Sequence, residues 1–546
     1  FFSYNHYPPP HFNQLMTLTT LPQNAKVAVL GAGILGLTFT YFLSKLRPDL
    51  QFTIFEKLKR PGGWMSSPKL HVNNTNESIL FEKGPRTLRG VKDGTLLMLD
   101  ILRKLDLDSQ IEVINEKCNA NKKYILDSAG EIIQVPNSIG TTIEFLKNVK
   151  CVDRKLITGI LKEPFVKPIK EDETIEQFFK RRLGSTVLTD NVASSIIHGI
   201  YAGDVGKLSI KSIMSFMKDI ENQSGSIVKH IFKSLYSNKK KEEPQLSQEL
   251  QIYNQLMSPK AELLTLQKTL KQYPMIKLHD GMETLPKYLA EYLINNTNTK
   301  IKYNTSIQDI DAVTGKINGE SYDHIRSTIN THDLAKTLPT TDPLVPELKS
   351  IEYVSIFLTN VYSRSSNLIP KGKPGFGFLS PRYGNVWKNP DALLGTIYDS
   401  DIENNVEGLF VDTKPVHNPN NKITIMMGGH YYTNWTIPSN SVNLKIVKDV
   451  LTSKLKVDLS KFNLKVIKDG EPLQIDEIND NDLVISYSFH SNCIPQYNLG
   501  YQETKDKVNQ LLDKGYKLSF GGTVFADGVG VPDCVLNGFK DALKLK

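Results

Sequence analysis

Lys26-Val27-Ala28-Val29-Leu30-Gly31-Ala32-Gly33-Ile34-Leu35-Gly36, continued to Phe52-Thr53-Ile54-Phe55-Glu56, decides the fold of this chain. Residues 27–30 form a short, apolar, β-branched-rich run, as expected of a buried parallel strand. Three glycines follow as G-x-G-x-x-G. The first allows a tight turn, the second lets the backbone approach a pyrophosphate, and the third lets a helix pack close to the strand. Residues 37–46 read as that helix, its N-terminal N–H groups and dipole aimed at the phosphate, with Pro48 stopping it. A second strand ends in Glu56, about 20 residues past Gly36, placed to accept hydrogen bonds from ribose hydroxyls. Glycine clusters also mark ordinary turns, but strand, loop, helix, strand and acid arrive here in order. The motif predicts dinucleotide binding and does not choose between NAD and FAD.

Working outward, the 546 residues allow two to four domains with large cores. A hydrophobic content of 40% and a charged content of 23% describe an ordinary globular protein. The net charge of +8 suits an anionic substrate or an acidic membrane surface, although spread over this length it also serves solubility alone. No nucleic-acid-binding pattern is present. Cys118, Cys151, Cys493 and Cys534 lie far apart and read as free thiols in a reducing compartment. Eleven histidines include no H-E-x-x-H and no clustered pair, so no metal site is expected. A P-loop is missing as well. No apolar run approaches the ~18 residues needed to span a bilayer. The Pro- and aromatic-rich segment 1–24 reads as a tail outside the fold; without arginine it makes a poor transit peptide, and Met16 is an alternative start.

Past Glu56, the paired glycines of Arg60-Pro61-Gly62-Gly63-Trp64 allow close backbone approach to a ligand. Residues 79–83 read as a strand leading into Gly84-Pro85-Arg86-Thr87-Leu88-Arg89. That turn either carries a surface arginine or sets Gly84 to Thr87 against the cofactor with Arg86 as a neighbouring cation. Its place after a strand of the same half favours the second reading. A hairpin is expected over 122–136 with its turn at 127–130. Lys123 on it is a solvated charge or an anion receptor, and its own residues favour solvation. Over 144–170, Lys147, Lys150, Arg154, Lys155, Lys162, Lys167 and Lys170 alternate with apolar residues including Phe145, Leu156, Ile157, Ile160, Leu161 and Phe165. Such a basic amphipathic helix either lies on an anionic membrane or packs on its own domain with a solvated face. Residues 236–260 are polar and turn-rich and read as a mobile insertion. The dinucleotide unit resumes near 278–285, with a strand at 300–307, and 350–490 is rich in strands.

Near the C-terminus a strand at 517–522 leads through Asp527-Gly528-Val529-Gly530-Val531-Pro532-Asp533 into a helix at 534–545. A second glycine-rich loop on a helix N-terminus, so far from the first, fits extended FAD: diphosphate at the first helix, isoalloxazine near the second, whose dipole would stabilise negative charge on the reduced ring.

These segments together resemble the protoporphyrinogen oxidases, the fungal ones above all, within the flavin amine-oxidase superfamily. The resemblance runs from about Lys26 to the C-terminus. It rests on GAGILG (31–36), FEK (55–57), GGW (62–64), FEKGPRTLRG (81–90), IYAGD (200–204), GMETLP (281–286), GFGFL (375–379), LGTIYDS (394–400) and GVPD (530–533). It implies one non-covalent FAD and the six-electron oxidation of protoporphyrinogen IX to protoporphyrin IX, with O2 reoxidising the flavin and H2O2 released. It also implies a peripheral enzyme of the mitochondrial inner membrane, a homodimer, and ferrochelatase as a partner. Cofactor contacts carried over are Gly31, Ala32, Gly33, Ile34, Leu35, Gly36, Glu56, Trp64, Gly84, Pro85, Arg86, Thr87, Ile307, Val529, Gly530 and Val531. The glycine whose carbonyl accepts pyrrole N–H bonds falls on Gly199, and Leu379 and Leu394 would clamp the macrocycle. Where many relatives place an arginine for a substrate propionate this chain has Lys123, which keeps the charge but loses the bidentate fork; Arg89 is the fallback. In that light the basic helix reads as membrane contact. No acid or base residue is demanded, since a pyrrole-flanked methylene is a good hydride donor.

The expected architecture is α/β. A discontinuous Rossmann-type FAD-binding domain (25–110, 275–345, 485–546) carries an inserted mixed-sheet substrate domain (346–484) and a mainly helical membrane-binding domain (111–274). A polyamine or other amine oxidase is the nearest alternative, with a pocket built for a cation. An NAD-dependent dehydrogenase would lack the C-terminal loop, and a GDP-dissociation-inhibitor-like binding protein would hold no flavin.

Overall fold

The computed structural model describes residues 20–546 except 128, 137–141, 143–144, 146–153, 237–244, 259–261, 365–367, 383–388 and 413–417. Five parallel strands make the central sheet, in the order Thr299–Lys302, Gln51–Phe55, Lys26–Leu30, His324–Ser327, Leu518–Phe520. Numbered along the chain this is 3-2-1-4-5, so the order reverses beside the first strand, where such sheets leave a crevice at their carboxyl ends. Val27, Ala28, Val29 and Leu30 have no exposed surface, which explains an unbroken apolar run where an alternating one would mark a half-exposed strand.

The helix Ile34–Leu46 starts three residues earlier than expected. Only Gly31 needs the left-handed region (φ +97), and the chain is free to coil as soon as that turn is complete. Gly36 is a packing glycine: a Cβ there would stand 2.2 Å from the Gly31 carbonyl oxygen. The C-terminal helix Val531–Lys544 lies against this first helix, with Gly538 directly over Thr38. It too starts three residues early, because Pro532 suits a first helical turn where its missing N–H costs nothing.

An eight-stranded mixed sheet forms the second layer. Its order is Asn463–Ile467, Asp482–Pro495, Tyr353–Ser363, Asn421–Gly429, Leu393–Ile397, Gly377–Leu379, Lys123–Leu126, Ile132–Gln134. One face, with Phe357, Phe378, Ile425 and Met427, packs on the helix Asn440–Ser453. The other turns to the nucleotide unit: Asn360 donates to the Glu82 carbonyl and His490 meets Trp64. Helices Arg154–Lys162, Ile175–Leu183, Ser194–Tyr201, Ser215–Ser224 and Ile227–Tyr236 make the third part.

Several boundaries move. The hairpin around Lys123 belongs to the large sheet and not to the helical part, because Lys123–Leu126 pairs in parallel with Gly377–Leu379. Asp482–Pro495 is one continuous strand of that sheet, so the nucleotide unit resumes after it and not at 485. The strand expected at 79–83 is only Ser78–Leu80, and that at 300–307 stops at Lys302, leaving Ile307 in a loop, half-buried. The proposed insertion contains a helix, Gln248–Leu256, fastened where Tyr253 Oη donates to Asp100 (2.5 Å); its remaining polar stretches, 237–244 and 259–260, lie outside the described residues. Leu21, assigned to the tail, is buried in the main core, while 1–19 are not among the described residues.

Candidate cofactor and substrate site

The first glycine loop sits at the carboxyl end of the central strand. Its helix has no acidic residue in the first turn and no side-chain cap. The N–H groups of that turn have no intrahelical partners, and a Cβ on Gly33 would meet nothing within 4 Å. An uncapped helix N-terminus beside open space fits a diphosphate. Glu56 accepts from Ala32 N and Leu58 N (2.9 Å each), which fixes its carboxylate at the loop's edge. Gly62, with φ +104, donates to the Ala32 carbonyl, so the paired-glycine turn lies across the same loop. Trp64 beyond it is 49% exposed, its ring edge on His490 (centroids 5.2 Å apart). Gly84 passes against the Trp64 backbone. Gly84, Pro85 and Thr87 are half-buried beside it.

Arg86 has a protein partner that the sequence reading did not include. Its buried guanidinium pairs with Asp399 at 2.9 Å and donates to the Glu82 carbonyl, joining the nucleotide unit to the sheet. Its charge is therefore spent on a protein carboxylate. Burial pushes the Asp399 carboxyl up, with Arg86 opposing.

The second loop also departs from the expected picture. Asp533 in the first turn of the C-terminal helix accepts from Gly530 N (3.3 Å) and binds Lys92 Nζ (2.6 and 2.8 Å). This helix end already has a carboxylate, so its dipole is not an open anion site like the first. The loop is nevertheless in reach of both units. Gly521 abuts Leu35, and Val529 packs in a cluster with Ile197 and Tyr201 of the helical part. Tyr497 and Tyr501, stacked at 4.5 Å, donate to the carbonyls of Thr523 and Val524 and hold it there.

At one edge of the large sheet the expected substrate residues come together, with one exception. In the parallel register Lys123 pairs with Gly377 and Ile125 with Leu379, while Leu379 pairs across with Gly395, so all share one face. Gly199, exposed in the last turn of Ser194–Tyr201, faces Leu379; a Cβ there would lie 2.9 Å from Leu379 Cδ2. Lys123 reaches solvent from a crowded wall, and desolvation followed by the like charge of nearby Arg89 lowers its pKa. Two cations thus stand near one another beside this face. Leu394 is the exception. A register shift between Leu393 and Gly395 turns it into the core, where it is buried, so the aliphatic pair is split.

Sequence reasoning passed over four groups here: the Arg86–Asp399 pair as a strut, the Tyr497–Tyr501 stack, Arg382, and the buried histidines His198 and His430. Arg382 is buried among Asp190, Asp204 and Glu176 at 2.7–3.1 Å. Arg86 and Asp399 stand in two of the motifs quoted above, but nothing there shows that they pair, and the other groups stand in none; each acquires its meaning from partners distant in the chain.

The helical part presents a different surface. Leu156 is buried inward and Phe145 packs on Ile125 and Leu379, while Ile157, Ile160, Leu161 (71% exposed) and Phe165 (85%) face out among exposed Arg154, Lys155, Lys162, Lys167 and Lys170. Lys147 and Lys150 lie outside the described residues. Exposed Ile231 and Phe232 extend the face from Ile227–Tyr236. Beneath it Arg182, Glu163, Glu221 and Lys218 form a buried ion network, and Glu163 accepts from the N-terminal amides of that second helix. No helix among the described residues is long and apolar enough to cross a membrane.

A 3-2-1-4-5 parallel sheet, an open phosphate-type loop and a mixed sheet over its carboxyl end define a flavin-dependent oxidoreductase fold. Residues 36–361 match the flavin containing amine oxidoreductase family. Within that class the chain belongs to the protoporphyrinogen oxidases. It is 36% identical to the protoporphyrinogen oxidase of Saccharomyces cerevisiae, over 97% of this chain and 99% of that one. It is 28% identical to that of Schizosaccharomyces pombe, over 95% and 98%. In fold it resembles a crystal structure from Exiguobacterium sp. 255-15 described as a protoporphyrinogen oxidase (TM-score 0.66, 17% identity, 95% and 98% coverage).

Proposed function

We propose that this chain oxidises protoporphyrinogen IX to protoporphyrin IX on one non-covalent FAD, in three two-electron steps with O2 as acceptor. One observation carries the reading: exposed Gly199 and half-buried Leu379 meet in an apolar wall, and Lys123 and Arg89 supply two cations near it. A flat macrocycle with two propionates matches that pairing of surfaces. An amine oxidase would need to seat a cation, which Lys123 and Arg89 oppose.

In this reading Gly31 to Gly36 cradle the diphosphate, Glu56 takes the ribose, and Trp64, Gly84, Pro85, Thr87, Ile307 and the loop 529–531 flank the rest. FAD, when bound, supplies the hydride acceptor and the electron path to oxygen. The protein's part is orientation. Gly199 sits in a last helical turn, where carbonyls lack an intrahelical amide and can accept pyrrole N–H bonds. Leu379 excludes water, and the cations fix the propionates, so that one bridge carbon is presented in near-attack geometry. The apolar, basic face at 154–165 and 227–234 docks on an anionic membrane, the source of an apolar substrate. A mitochondrial inner-membrane site, a homodimer and hand-over to ferrochelatase complete the proposal.

Purified protein is expected to show flavin absorption near ~375 and ~450 nm and to be bleached anaerobically by protoporphyrinogen. Colourless protein would end the oxidase reading, and bleaching by amines alone would move it to the amine oxidases.

A further inference from the structure

Two buried histidines lie beside the contact between Gly199 and Leu379. His198 Nδ1 is 2.6 Å from the Ser380 carbonyl oxygen, and His198 Nε2 is 2.9 Å from His430 Nε2, the rings stacked at 5.0 Å. The proton positions follow. A carbonyl only accepts, so His198 Nδ1 carries hydrogen and donates. Burial keeps both rings neutral, His198 at about 4 and His430 well below the usual range. His198 Nε2 is therefore bare, and His430 Nε2–H donates to it. His430 Nδ1 is left buried without a partner.

We propose that His198 and His430 are positioning residues: the chain Ser380–His198–His430 fixes how Gly199 and Leu379 meet in the wall against which a pyrrole ring is held. The inference rests on the reading of Gly199 as substrate-facing. His198 immediately precedes Gly199, and Ser380 immediately follows Leu379, so one hydrogen bond ties the two wall residues at one bond's remove on each side. Arg382 N, bonded to Ser194 Oγ at 3.1 Å, fastens the same turn to the start of that helix. His430 N, donating to the Ala202 carbonyl at 2.8 Å, fixes the helix end. A fold selected for stability alone has little use for this pair. Apolar side chains would fill the same space without leaving a buried nitrogen unpaired. Directional bonds confer a defined separation that dispersion contacts do not.

The test uses the flavin-loaded protein and three variants, His198→Phe, His198→Asn and His430→Phe, with flavin content, Tm, and KM and kcat for protoporphyrinogen IX. Phenylalanine keeps the ring and removes the donor; the Asn amide restores a donor toward Ser380. His198→Phe should retain flavin and raise KM by about tenfold or more, with a smaller change in kcat, and His198→Asn should return KM to within about threefold. If His198→Phe does not fold, His430→Phe is read in the same way, with a KM rise expected from a loosened His198. A lower Tm with KM and kcat unchanged in the flavin-loaded variants shows a merely structural pair and overturns the inference alone. A wild-type holoenzyme that protoporphyrinogen does not reduce overturns the function reading and this inference with it.

Discussion

Gly33 and Lys123 make opposite demands on their positions. Gly33 has an ordinary extended conformation (φ −70, ψ 171) and empty space where a side chain would go. Gly33→Ala should therefore leave apoprotein stability within about 1 kcal/mol while its methyl blocks the diphosphate; flavin co-purifying at wild-type occupancy would contradict the placement. Lys123 is judged by its charge. Losing a charge-assisted bond to a carboxylate is worth roughly 1.5–3 kcal/mol, so Lys123→Ala should raise KM for protoporphyrinogen about tenfold or more with flavin content unchanged. An unchanged KM would return Lys123 to a solvated role and leave Arg89 as the propionate partner.

The strut between layers and the surface helices follow a different logic. Arg86 and Asp399 are each about nine-tenths buried, and removing one partner leaves a charge in a low-dielectric site. Asp399→Asn should cost about 3–5 kcal/mol, measured by denaturant unfolding, and a cost below ~1 kcal/mol would show that water reaches Arg86. At the helix Arg154–Lys162 and the turn Glu163–Phe165, Leu161 and Phe165 contribute exposed apolar area without supporting the core. Leu161→Glu combined with Phe165→Glu should abolish sedimentation with anionic vesicles and leave Tm nearly unchanged. Retained vesicle binding would place the membrane contact elsewhere.

At the scale of the whole molecule, buried neutral histidines make stability depend on acid. His198 is lowered to about 4 and His324 to about 3, burial being the first cause in both; Arg326 adds to it at His324, while at His198 the Ser380 carbonyl and Asp204 oppose it. Both titrate lower in the folded chain than in the unfolded one, so the unfolded state takes up protons first as pH falls. Stability is complete above the ordinary histidine range near ~6.5 and declines below it, levelling off only where the folded groups protonate. His198 alone accounts for on the order of 3 kcal/mol across that window. Urea unfolding between neutral pH and pH ~4.5 should show this loss, and His324→Gln should flatten it. A flat wild-type profile would mean that these rings are not neutral in the fold.

The nucleotide unit was legible in the chain because its signals are local. A strand, a glycine turn, a helix and an acid follow one another within thirty residues, and backbone sterics with buried apolar runs act over that distance. Gly31, Gly33, Gly36 and Glu56 are read that way as the proposed cofactor grip, and the resemblance supplies Gly199, Leu379 and Lys123 as proposed substrate contacts. What local pattern could not carry was partnership. The chain shows nothing of the ion pair between Arg86 and Asp399, more than three hundred residues away. Leu394 looked like a twin of Leu379 until a bulge turned it inward. The hairpin of Lys123 joined the large sheet through parallel pairing with Gly377–Leu379, which no periodicity reveals. His198 and His430 read as isolated residues in the chain. The glycine grip follows from residue type and spacing, but charge pairing and the width of the pocket wall are properties of distant segments brought together, and only packing in three dimensions decides them.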